Sequence, residues 1–119
     1  MNDSKIIFSP DLEINAENFV SRWNDMPNCH EVAKAQLETS AAVDYDPLLA
    51  SAAVFLSGIA VGMTTNALYD MIKQIVLNQA PVQKLLEKRK LPKSTEVIEI
   101  QTVQQQDGSP LLVVVLKEN

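Results

Sequence analysis

Apolar and polar positions alternate along some stretches of the chain and recur at helical spacing along others. Residues 5–8 form a short apolar run, and Leu12 and Ile14 alternate with polar neighbours. This predicts a first strand between residues 4 and 14, divided or ended at Pro10-Asp11. Asn15 is placed to cap a helix, because its side-chain oxygen can accept from free first-turn amides. Phe19, Val20 and Trp23 then give that helix an apolar stripe as far as Asp25, and Trp23 is read as core. Pro27 stops it. Asn28 can cap one further turn before Ala35, Leu37 and Thr39 alternate with Lys34, Gln36 and Glu38 as in a half-buried strand; a single helix over 28–39 is the competing expectation.

Asp46-Pro47 pairs a capping residue with the residue best suited to a first helical position, so a long helix is expected to start there and to run toward Pro81. Its second half is amphipathic, with Leu68, Met71, Ile72, Ile75 and Val76 on one face and Asp70, Lys73 and Gln74 opposite. Its first half carries Leu48, Ala52, Phe55, Ile59 and Met63 on the far side as well, and Gly58 and Gly62 form a small-xxx-small pattern. A helix apolar all round must be buried all round. A small sheet covers one side, so the second stripe calls for another copy, a different protein, lipid, a place in the domain's own core, or a fold-back at the glycines. Residues 47–69 bear no formal charge; as a helix they would be about 34 Å long at ~1.5 Å per residue, against a bilayer core of roughly 30 Å. Ser51, Ser57, Thr64, Thr65 and Asn66 dilute the apolar content, so the stretch is a borderline span.

After Pro81 a short basic helix is expected over 82–90. Residues 96–103 and 111–116 read as two strands of a C-terminal β-hairpin turning at Asp107-Gly108, and 111–116 is apolar on both faces, as suits a central strand. The predicted order is β-α-β-α-α-β-β: a single α+β domain over residues 1–119, with helices on one face of a sheet of about four strands. Its substructure would be strand-helix-strand over 1–46, the long apolar helix plus the basic helix over 47–90, and the hairpin over 95–117.

Composition narrows the function classes. A chain of 119 residues, 46% apolar and 21% charged, has enough apolar content for a packed core. With aromatics at 5% a base-stacking surface has little to build with, which argues against nucleic acid as partner. One cysteine excludes an intramolecular disulfide and a multi-Cys zinc cluster and fits a cytoplasmic protein. No secretory signal is visible near Met1. Charge is uneven: residues 1–46 hold nine acids against Lys5, Arg22 and Lys34, net −6, whereas Lys84, Lys88, Arg89, Lys90 and Lys93 face only Glu87, net +4. That basic patch is a solvated helix end or a contact for an acidic partner or membrane surface.

Catalytic chemistry is sparse. Cys29 and His30 are the one adjacent nucleophile and base, but neighbouring helical residues point about 100° apart. Asp44 and Asp46 lack further acidic ligands at loop spacing, and Gly-rich phosphate loops, G-x-S-x-G and H-E-x-x-H are missing. No catalytic residue, cofactor, metal or small-molecule ligand is therefore assigned.

The uncharged, small-residue-rich stretch, its Thr65-Asn66-Ala67-Leu68-Tyr69-Asp70-Met71-Ile72-Lys73 ending, the basic segment and the Asp107-Gly108 hairpin together resemble the small effector-associated constant components of bacterial conflict systems, encoded beside caspase-like proteases or NTPase sensors. The resemblance implies a non-catalytic adaptor or membrane-proximal partner and carries over no functional residue. The expectation is a non-enzymatic interaction or regulatory module, either homo-oligomeric or the partner of a larger signalling or defence protein. Its expected interface is Leu48, Ala52, Phe55, Gly58, Ile59, Gly62 and Met63. The alternatives are a small membrane-associated protein inserting 47–69, with its basic flank at 84–93, and a small enzyme.

Overall fold

The computed structural model describes residues 3–38, 53–104 and 110–117. Strand β1 (Ser4–Phe8) leads through a 3-10 turn, Pro10–Leu12, into α1 (Ala16–Asp25) and α2 (Pro27–Val32). Then come β2 (Lys34–Glu38), β3 (Ala53–Ser57), α3 (Thr65–Leu77) and α4 (Ala80–Lys88). A second 3-10 turn, Thr95–Val97, precedes β4 (Ile98–Gln104) and β5 (Pro110–Leu116). The fold is α+β, and the described residues form one mixed five-stranded sheet ordered β2-β3-β1-β5-β4. The pair β1–β5 is parallel, with Ile7 beside Val113, and the other pairs are antiparallel.

Most local expectations hold, for the reasons that motivated them. The Asn15 side chain accepts from Glu17 N–H at 2.8 Å and Asn18 N–H at 3.4 Å, which supplies acceptors to the otherwise unpaired first turn of α1. Pro27 does end α1, and it also opens α2, because a helix start has no use for the missing N–H; Met26 and not Asn28 therefore takes the N-cap position, and Asn28 lies inside the first turn. The competing helix over 28–39 is not formed: β2 occupies Lys34–Glu38. The double-faced apolar run does lie inside the sheet, with β5 between β1 and β4 and Pro110 at its first position, where no ladder N–H is required. The Asp107-Gly108 turn lies outside the described residues.

The long helix is the main correction. Residues 53–57 form strand β3, and α3 begins only at Thr65, capped by the Thr64 hydroxyl, which accepts from Ala67 N–H at 3.1 Å. Between them Gly58 (φ 65°) and Gly62 (φ 95°) take left-handed backbone conformations that a side chain disfavours. Their four-residue spacing is therefore turn chemistry and not a helix-packing surface. The apolar-all-round character has a different cause too. Strand β3 lies inside the sheet between β2 and β1, and it buries Val54 and Leu56 on one face and Ala53 on the other. This is the fifth strand that the sequence pattern hides inside a helix. Among the described residues no helix is long and apolar enough to cross a membrane.

Helices α1 to α4 pack on one face of the sheet. Ala16, Phe19 and Trp23 of α1 and Leu68, Ile72, Ile75 and Val76 of α3 meet Ile6, Phe8, Val54, Leu56, Leu112 and Val114. Phe19 lies 5.1 Å from Phe8 and 6.1 Å from Trp23 between ring centroids. On the opposite face Ile7, Ala53, Leu111 and Val113 form a second buried cluster, flanked by Val103 and Val115.

Helix α4 ends without glycine. Leu91 N–H reaches the Leu86 carbonyl (2.9 Å) and Lys90 N–H reaches that of Glu87 (3.2 Å), which forces Lys90 into the left-handed region at φ 56°. Lys90→Gly is expected to stabilise the chain by about 0.5–1 kcal/mol, because glycine accepts this conformation without the Cβ penalty. A thermal melt would show this as a rise of about 2–5 °C.

Candidate interaction surface

The two sheet edges are built differently. Strand β2 bonds to β3 through Lys34, Gln36 and Glu38, so the backbone groups of Ala35 and Leu37 point outward. Helix α1 occupies this edge at Ala35 with a side chain. Asn24 Nδ2 donates to the Ala35 carbonyl at 3.0 Å, and Asn24 Oδ1 accepts from Ala35 N–H at 3.2 Å, as a neighbouring strand would. The preceding residue helps to hold α1 there: Trp23 Nε1 donates to the Ala33 carbonyl at 3.0 Å within the core.

At the other edge, Lys117 N–H donates to the Val97 carbonyl at 2.7 Å, and Ser9 N–H to the Val114 carbonyl at 2.8 Å. Carried along the antiparallel alternation, these bonds turn Glu99, Gln101 and Val103 of β4 toward β5, and Ile100, Thr102 and Gln104 outward. The Ile98 N–H folds back onto the Thr95 carbonyl. Among the described residues, the outward N–H and C=O groups of Ile100, Thr102 and Gln104 meet no partner. Natural edges are blunted by Pro, Lys, bulges or short length. Strand β4 has seven residues, no Pro, no Lys and an unbroken register from Ile98–Leu116 to Gln104–Pro110, with Glu99 as its one charge. Above it, Tyr69 Oη lies 2.7 Å from Thr102 Oγ1 and ties α3 to the strand.

The residues expected to form a helical interface do not share a face. Leu48 and Ala52 lie outside the described residues. Phe55, half-buried on β3, is on the same side of the sheet as Ala53, away from the helices, whereas Ile59 and Met63 pack against the helix-side core. Gly58 and Gly62 are exposed turn residues, and Val61 between them is 94% exposed. The physical reason is the break at the glycines: a strand and a turn do not keep the 100° spacing that would align these positions.

Of the basic patch, Lys84 and Lys88 sit one turn apart on α4. They line an open groove of about 360 Å³ together with Glu13, Ala80, Pro81 and Leu85. Lys93 Nζ is 3.9 Å from Glu87 Oε2, an exposed pairing of little energetic weight. Arg89 and Lys90 are exposed at the helix end.

Cys29 and His30 part company on α2: Cys29 is 3% exposed within the core and His30 is exposed. Burial pushes the Cys29 thiol above its ordinary value of 9.0. The folded state therefore prefers the neutral thiol. This stabilisation is complete below the unfolded thiol's value and is lost as pH rises through the folded one. Native Cys29 is expected to react with a thiol reagent at least ~100-fold more slowly than in urea-unfolded chain, because the buried thiol gives little thiolate. The alkaline fall in urea midpoint should be shallower for Cys29→Ala. Among the described residues no group of three or more His, Cys, Asp or Glu side chains is placed to hold a metal ion. Asp44 and Asp46 lie outside them.

Neither Asn24 nor the β4 edge was singled out by sequence pattern. The one signal for β4 is a seven-residue alternating stretch lacking the usual edge guards. Compared with known proteins, the chain matches no family model, no curated protein and no solved structure.

Proposed function

We propose that the chain is a non-enzymatic interaction module that binds by adding a strand to the edge of β4. The observation that carries this is the contrast between its edges: Asn24 clamps β2 at Ala35, while among the described residues β4 presents an unguarded backbone ladder. Strand addition takes affinity from main-chain hydrogen bonds and specificity from alternate side chains. Here those would be Ile100 and Thr102 on the helix side and Glu99, Gln101 and Val103 on the other. A regulatory adaptor of this kind works as an oligomer or as the partner of a larger signalling or defence protein.

Amide hydrogen exchange in dilute solution tests the premise. The Glu99, Gln101 and Val103 amides should be protected through their bonds to β5, and those of Ile100 and Thr102 should exchange at least ~100-fold faster. Equal protection of both sets in a dilute monomer would mean that the edge is already covered, and the proposal would fail.

A further inference from the structure

We infer that the strand added to β4 is β4 of a second copy of this chain, paired antiparallel about a twofold axis through Gln101; this rests on the reading of β4 as an open edge. The first argument is closure. An edge that pairs with the opposite edge of the next copy makes an open-ended filament, whereas an edge that pairs with itself closes at two. The amide of Asn24 occupies the outward N–H and C=O of Ala35, so β2 is a poor acceptor for β4. Pairing of β4 with β4 uses the open edge of each copy once and leaves the two β2 edges, each clamped at Ala35, outermost.

The second argument is self-complementarity of the strand. Only residues whose backbone groups point outward can bond across the axis, so Ile100 faces the partner's Thr102, and Ile98 faces the partner's Gln104. Each Ile100–Thr102 pair exchanges two hydrogen bonds, and each Ile98 carbonyl accepts one, about six in all. This register sets Glu99 opposite the partner's Val103 and Gln101 opposite the partner's Gln101. The sole charge of the strand therefore does not face its own copy. Ile100 beside Thr102 is a β-branched cross-strand pair, of the kind that favours sheet pairing.

The third consideration sets the strength. One seven-residue strand from each copy is a small contact beside the ~1,200–2,000 Å² of a standard stable interface. The dimer therefore dissociates on dilution, which gives the experiment its handle.

Static light scattering across a concentration series should show monomer at low concentration and dimer at high concentration, with no larger species. Thr102→Pro should stay monomeric throughout, because proline removes an outward N–H and leaves the bonds to β5 intact. A cross-link guards against misfolding of that variant. Gln101→Cys sits at a non-hydrogen-bonded pair on the axis, where Cβ atoms are ~4.5–5.5 Å apart. Under mild oxidation it should form disulfide dimers at least ~10-fold faster than Gln36→Cys on the clamped edge strand. Equal rates, together with a wild type that stays monomeric, overturn the second-copy inference; rapid Ile100 and Thr102 exchange would then leave β4 as an edge for a different strand. Slow exchange of those amides in the dilute monomer overturns both. Species growing past the dimer overturn the closure argument and with it the inference.

Discussion

Trp23→Ala is expected to unfold most of the chain at 25 °C. Trp23 is 0% exposed, the largest of the fully buried side chains, and stacks on Phe19. Truncating a buried Trp costs about 3–5 kcal/mol in lost burial and residual cavity. Here it also removes the donor to the Ala33 carbonyl, and an orphaned buried acceptor adds about 1–3 kcal/mol. A domain of this size has only about 5–15 kcal/mol in hand. Far-UV circular dichroism in urea should place the midpoint at or near zero denaturant; fluorescence would not serve, because Trp23 is the only Trp. Trp23→Phe keeps much of the apolar volume and loses the hydrogen bond, and should cost about 1–3 kcal/mol. A Trp23→Ala chain with a near-native midpoint would show that α1 is not held on the sheet at this point.

Asn24→Ala is expected to do two separable things. It leaves the N–H and C=O of Ala35 without their side-chain partners at a partly buried position, which costs about 1–3 kcal/mol. It also opens the β2 edge. With both edges free, copies can pair head to tail, and scattered intensity should climb with concentration past any dimer. Asn24→Asp separates the two effects. The carboxylate still accepts from Ala35 N–H but sets an acceptor against the Ala35 carbonyl, so stability falls while that side chain still stands at the edge. An Asn24→Ala chain that keeps the wild-type mass at every concentration would show that the clamp matters only for stability.

The elements read correctly from sequence are those set by neighbours within a few residues. Asn15 caps α1 because its oxygen reaches amides two and three positions ahead. The stripe Leu68, Ile72, Ile75 and Val76 marks the buried face of α3 because helical periodicity is a local property. The alternation around Ala35 and Leu37 marks β2 for the same reason. Strand β3 is the counterexample. Val54, Phe55 and Leu56 sit in an uncharged, proline-free stretch, and a strand buried on both faces has no alternation to separate it from a buried helix. The glycines that break the stretch are also compatible with helix packing, so the same two residues supported the wrong element.

By itself, then, the sequence determined the α+β class, the Asn15-capped start of α1, the buried stripe of α3 and the central character of β5, because each follows from local periodicity and residue chemistry. Only the tertiary structure decided that residues 53–57 enter the sheet and that the Asn24 side chain caps the Ala35 backbone on β2. The clamp joins Asn24 to Ala35 across a turn and a helix, and the β4 edge is defined by having no neighbouring strand among the described residues. Contacts between distant segments, and the absence of a neighbour, leave no periodic trace along the chain.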